Sequence, residues 1–140
     1  MLHVEGMRDI EATTWDRLLV DSPGGHVLQT HAWDAFKETQ GWQPVRLALK
    51  DGDRVVGVAQ MAVRPIPGVA GAIAYCGKGP WIDWADPAAV RTMLQGMEYF
   101  ARKRGASILL PVRVCERKVR LVERYTYHLP TTFPHYNSTG

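Results

Sequence analysis

Ten residues, Tyr75-Cys76-Gly77-Lys78-Gly79-Pro80-Trp81-Ile82-Asp83-Trp84, concentrate the groups in this chain best suited to hold a ligand. The apolar run Ala72-Ile73-Ala74 before them reads as a buried strand. Gly77 and Gly79 are free to take φ > 0 and to let a ligand come close, and Pro80 stiffens the turn. Two indoles, Trp81 and Trp84, then flank the carboxylate of Asp83. One reading is a binding cleft at the C-terminal end of a strand, where ligands of α/β sheets lie. The other is that the indoles cap a core. Asp83 divides the same way, into a group that orients an amine or accepts its proton and a turn residue bonded to its own backbone.

A second row could face that loop. Gln29, Trp33 and Lys37 recur at i, i+4 and i+8 on a helix expected from about Leu28 to Gln40. They lie beside an expected buried stripe of Leu28, Ala32, Ala35, Phe36 and Thr39. An ammonium and an indole opposite a carboxylate and aromatic walls suit an anionic ligand that also carries an amine. Lys37 has a blander alternative, a solvated ammonium paired with Asp34 or Glu38.

Other chemistries are excluded by what is missing. Gly77-Lys78-Gly79 lacks the upstream glycine and the Ser/Thr of a phosphate loop, and no G-x-G-x-x-G opens a helix after a strand. The five histidines have no ligand spacing, so no metal is expected. No G-x-S-x-G elbow occurs, and Cys76 and Cys115 are isolated.

The elements that must position these residues follow from local signals. Thr13 is the expected cap of a short helix bearing Trp15, Leu18 and Leu19 on one face, with Asp16 in its first turn and Ser22-Pro23-Gly24-Gly25 as its stop. Gly41 closes the second helix. Pro44 to Lys50 alternates like a half-buried strand, Asp51-Gly52-Asp53 is hairpin chemistry, and Arg54 to Arg64 reads as a central strand with Gln60 in a structural hydrogen bond. Asp86 and Pro87 start a long helix with Val90, Met93, Leu94, Met97, Phe100 and Ala101 inward, which Gly105 ends. Ser107 to Leu110 is the next buried strand.

At 140 residues and 46% hydrophobic, the chain is expected to make one domain at most, with enough length to bury a real core. Its longest apolar region, from Val55 to Tyr75, is broken by Gln60, Arg64, Pro65 and Pro67 and cannot span a membrane. With no signal-peptide pattern at Met1, a reduced cytoplasmic location is expected. Charge is uneven: residues 1–110 balance at 12 Lys/Arg and 12 Asp/Glu, whereas 111–140 carry five basic groups against two acidic. The last thirty residues therefore hold the whole net charge of +3.

The order of motifs points further than any one of them. Ser22-Pro23, Gly25-His26-Val27-Leu28-Gln29-Thr30, Trp33…Phe36-Lys37…Gly41-Trp42 and Tyr75…Gly79-Pro80…Asp83 resemble the Fem family of peptidoglycan-bridge aminoacyltransferases, such as the lipid II:glycine glycyltransferases. The likeness runs from about Trp15 to Leu110. It implies an α/β, GNAT-like three-layer fold, the first of two such domains and incomplete as a transferase by itself. It also implies transfer of an amino acid from aminoacyl-tRNA to a stem-peptide amine of a muramyl-peptide precursor, UDP-linked or lipid-linked, with no cofactor. Such chemistry would lie in the cytoplasm, extending to the inner face of the membrane. Lys37 would hold the precursor's diphosphate, with Trp33, Gln29, Tyr75, Lys78, Gly79 and Trp81 around it, and Asp83 would stand beside the accepting amine. Aminolysis of an activated ester needs positioning more than a strong base.

The chain departs from that pattern after Leu110. Residues 1–110 are expected as the GNAT-like domain and 111–140 as a divergent basic tail, frameshifted or loosely ordered. No second domain or helical arm of the kind several family members have is expected within these 140 residues, so catalysis is left open and a homodimer is an option. Two other functions stand beside this one. An acyl-CoA-dependent N-acetyltransferase would share the fold, but its Gln/Arg-x-x-Gly-x-Gly/Ala turn opens no helix here. A non-catalytic module that binds precursor or RNA would use the basic tail.

Overall fold

The computed structural model describes residues 1–21, 30–68, 70–111 and 127–128. Strands β1 (Leu2–Gly6), β2 (Gln43–Asp51), β3 (Arg54–Pro65), β4 (Ala72–Cys76), β5 (Ala106–Pro111) and β6 (Tyr127–His128) form one sheet in chain order. Helices α1 (Ala12–Val20), α2 (His31–Glu38) and α3 (Pro87–Lys103) cover it. All pairings are antiparallel except β4 with β5, which are parallel and joined by the α3 crossover.

Alternation along the strands sorts side chains to two faces. Val45, Leu47 and Leu49 of β2, Ala59, Met61 and Val63 of β3, and Ala72, Ala74 and Cys76 of β4 pack with Met93, Met97 and Ala101 of α3. Arg46, Ala48, Val58, Gln60, Ala62 and Tyr75 alternate with them, and Arg46 pairs with Gln60 and Ala62 with Tyr75 across the strands. Trp15, Leu19 and Val58 make a second, smaller cluster there. Helix α3 lies on one face and α1 with α2 on the other, the three-layer α/β arrangement.

Helix α3 is held as its residues dictate. Asp86 accepts from Ala88 N and Ala89 N at 3.0 and 3.3 Å, with Pro87 in the first turn. Met93, Met97 and Ala101 are buried as expected, while Ala89 and Gly96 are buried too. Gly96 is the point of closest approach to β1, since a Cβ built there would lie 2.6 Å from Val4 Cβ. At the end of α2, Gly41 at φ +83° lets its own N–H reach Glu38 O and that of Trp42 reach Lys37 O.

Three expectations change. Helix α1 begins at Ala12 with Glu11 as the extended cap residue, so Thr13 lies inside it and Asp16 is past its first turn. The Asp16 carboxylate accepts instead from His31 N of α2 at 2.9 Å. Strand β2 is buried on both faces from Val45 to Leu49, because helices cover both sides of the sheet there. The stripe expected to bury α2 is the face it turns outward: Ala32, Ala35, Phe36 and Thr39 are exposed, Phe36 by 53%. The sheet beneath α2 presents Arg46 and Gln60, and a helix above a guanidinium and an amide gains more from turning in Asp34 than an apolar side chain. Leu28 and the Ser22-Pro23-Gly24-Gly25 stop lie outside the described residues.

Candidate functional site

Helix α2 is placed over the sheet by its first turn. Thr30 Oγ1 accepts from Trp33 N at 3.3 Å and Asp16 accepts from His31 N, so two amides at the start of the helix find oxygen partners. Thr30 O in turn accepts from Gln60 Nε2 at 3.2 Å, and Gln60 Oε1 accepts from Arg46 Nε at 3.3 Å. Arg46 Nη2 stands 3.0 Å from Asp34 Oδ2, with both side chains under 10% exposed. A chain of polar contacts thus runs from β2 through β3 to α2 inside the molecule.

Above this network opens a pocket of about 110 Å³, lined by Trp33, Asp34 and Lys37 of α2, Gln60 and Ala62 of β3, and Tyr75 and Gly77 at the end of β4. Two spacings create it. Residues 33, 34 and 37 share one side of α2, and residues 60, 62 and 75 share one side of the sheet. Lys37 Nζ lies 4.7 Å from the ring centroid of Trp42, and the Arg64 guanidinium carbon 5.9 Å from the same ring. One indole therefore gathers two cations, of which Lys37 lines the pocket, a local field that favours an anion. Burial pushes the Asp34 carboxyl up to about 7, with the Arg46 guanidinium pulling the other way and the Glu38 carboxylate adding to the rise.

The residues singled out in the sequence divide. Trp33, Lys37 and Tyr75 come together in the pocket. Lys78, half-buried, follows the pocket residue Gly77 and is itself the residue with a left-handed backbone, φ 58°, a conformation expected of Gly77 and Gly79. Gly79 and Pro80 are buried and joined by a cis peptide bond. Trp81 exchanges backbone hydrogen bonds with Val58 at 2.8 and 2.9 Å and packs against the Trp15 cluster, so its ring seals a core. Asp83 is exposed, accepts from Ala85 N at 2.9 Å, and is not among the residues that line the pocket. Gln29 lies outside the described residues.

Asp34, Gln60 and Ala62 were not expected in a site. Asp34 had appeared only as a surface partner for Lys37, and Gln60 only as a structural amide. The usable signal was a polar residue at the centre of an otherwise apolar strand, Gln60, matched by Arg46 one strand away. Among the described residues no group of three or more His, Cys, Asp or Glu could hold a metal ion. Burial pushes the Cys76 thiol up to about 12, far from nucleophilic at neutral pH.

The sequence model of the FemAB family matches residues 10–113, the span that builds α1, α2, β2 to β4, α3 and β5. The chain belongs to the FemAB family. It is similar to the lipid II:glycine glycyltransferase of Staphylococcus saprophyticus, 29% identical over 91 residues that make 65% of this chain and 22% of that protein. The Staphylococcus aureus (strain MRSA252) protein of the same name is 25% identical over 87 residues, 62% of this chain and 21% of its own. Among solved structures, FemX superposes with TM-score 0.69 at 25% identity, over 77% of this chain and 27% of FemX. A GNAT-family acetyltransferase from Brucella melitensis superposes with TM-score 0.54 at 13% identity, over 96% of this chain and 92% of its own. The fold is GNAT-like. The chain spans about a fifth of the length of the curated relatives it matches.

Proposed function

We propose that this chain supplies the precursor-binding half of an aminoacyl transfer that builds the peptide bridges of peptidoglycan. The pocket beneath α2 holds the diphosphate of a muramyl-peptide precursor, UDP-linked or lipid-linked, and Lys37 is its main ionic contact. One observation carries the reading: the Lys37 ammonium, seated on Trp42, stands at a pocket that Trp33 and Tyr75 also line, and all three are residues that the family motif singles out. The relatives' printed name, lipid II:glycine glycyltransferase, supports the substrate class.

A volume of about 110 Å³ suits a phosphate or part of a sugar ring, with the remainder of so large a substrate lying outside. Lys78, next to the lining residue Gly77, is a second cation for that outer part, with Gly79 behind it and Gln29 assigned to the same wall. Trp81 acts by fixing the loop. In this reading Asp83 stands beside the accepting amine: its exposed carboxylate spends one oxygen on Ala85 N and keeps the other for the amine. The acyl donor is an aminoacyl-tRNA, held with a partner that is either a second domain or a second copy of the chain. The work belongs in the cytoplasm, at the inner face of the membrane for a lipid-linked precursor; among the described residues no helix is long and apolar enough to cross a membrane. Residues 111–140 are proposed as an appendage to the domain of residues 1–110.

No observation favours the acyl-CoA alternative. The one segment with the right letters, Arg54-Val55-Val56-Gly57-Val58-Ala59, runs inside β3 and opens no helix. The RNA-binding alternative rests on a basic tail that lies almost wholly outside the described residues.

Calorimetry with UDP-muramyl-pentapeptide tests the proposal. Lys37→Ala should weaken binding about ten-fold or more, the loss expected for a charge-assisted contact. Equal affinity in wild type and variant would remove Lys37 from the site.

A further inference from the structure

A row of side chains leads out of the pocket along β3. Residues 60, 62 and 64 share one side of the sheet, and Gln60 and Ala62 already line the cavity. Arg64, the next in the row, is exposed and pairs with Ile73, just past the Ala62–Tyr75 pair whose residues both line the pocket. On the other side of β3, Gln43 pairs with Val63, so Trp42 stands level with Arg64. The half-buried Trp42 ring centroid lies 5.9 Å from the Arg64 guanidinium carbon and 4.7 Å from Lys37 Nζ. A pocket-lining ammonium and the guanidinium beyond it therefore share one indole, although one comes from a helix and the other from a strand.

Neither cation has an acidic partner. Among the described residues no carboxylate forms an ion pair with Lys37 or Arg64, and the buried Asp34 is taken by Arg46 at 3.0 Å. Two like charges held at one ring repel each other, and the ring face offsets that only in part. An anion that meets both gains two charge-assisted contacts and removes the repulsion.

We infer that Arg64 is a further ionic contact of the ligand, taking the anionic group next to the one that Lys37 holds, so that the site selects two linked phosphoryl groups over a single phosphate. The inference rests on the proposed role of Lys37 and names what that site selects. A cavity of about 110 Å³ takes one phosphoryl group, and the second lies outside it, toward Arg64. Neighbours on one face of a strand are about 7 Å apart, a gap that the long arginine side chain spans. Its planar fork suits phosphoryl oxygens two at a time. Lys78 follows the opposite end of β4 from Ile73 and serves another part of the ligand. Arg64 is thus a specificity-determining residue, and Trp42 positions both cations.

Calorimetry on the full chain with UDP-muramyl-pentapeptide tests the inference. Arg64→Gln should weaken binding about five-fold or more. Lys103→Gln, which removes an exposed cation from α3 on the other face of the sheet, should leave it unchanged. Inorganic pyrophosphate should displace the precursor from the wild type at a lower concentration than inorganic phosphate does, and Arg64→Gln should narrow that difference. Arg64 is exposed near the end of its strand, so the urea midpoint of the variant should match the wild type's. Equal affinity in Arg64→Gln and wild type, an equal loss in Arg64→Gln and Lys103→Gln, or no preference for pyrophosphate in the wild type would overturn the inference. A loss of binding in Lys37→Ala would still support the Lys37 reading in each of those cases. A wild-type chain that does not bind the precursor removes both.

Discussion

Asp34 shows how one side chain can belong both to folding and to a site. Burial raises its carboxyl from 3.8 to about 7, so between those values the folded chain holds a proton that the unfolded chain has released. Stability from this group is full below 3.8 and falls as pH rises toward 7, where the carboxylate must be charged inside the protein. Asp34→Asn removes that slope, and the variant's urea midpoint should change less between pH 4 and 7 than the wild type's. Parallel curves would mean that Asp34 titrates as an ordinary carboxylate. Lys37 and Trp33 were recognisable because their spacing and residue types are local properties of one helix. Asp34 was not, because its burial depends on Arg46 and Gln60, which reach it from two strands.

The elements themselves were largely legible where a few neighbouring residues decide them. Asp86 with Pro87, Gly41 after α2, and the turn at Asp51-Gly52-Asp53 all act where their residue chemistry places them. The orientation of α2 was not, since either of its faces could have met the sheet and the polar row on β2 and β3 chose between them. Packing of α3 on β1 has a point of equal specificity at Gly96. Adding a methyl there improves helix propensity by about 1 kcal/mol. It also drives that methyl to 2.6 Å from Val4, an overpacking that costs about 1–3 kcal/mol. Gly96→Ala should therefore lower stability in chemical denaturation. A gain would mean that β1 can move away from α3 at little cost.

For the whole molecule, the question is how far the fold extends beyond the sequence that resembles its relatives. The family match ends at residue 113, yet Tyr127 and His128 pair with Leu109 and Ile108 as the outer strand β6. Removing residues 112–140 would leave β5 as an open edge beside the core, and exposed edges recruit other chains. The shortened chain should self-associate in sedimentation velocity; a monomer of unchanged stability would show that β6 protects nothing. From composition and local pattern alone came the α/β fold class, the helix ends at Asp86 and Gly41, the hairpin turn, the family resemblance, and the spacing that sets Lys37 beside Trp33. The helix ends and the turn depend on residues within a turn or two of one another, and the resemblance on the order of such short motifs. The pocket and the place of Asp34 and Gln60 in its lining came from strand register and helix rotation. Those are settled by hydrogen bonds and burial between segments far apart in the chain, where no short stretch carries the information.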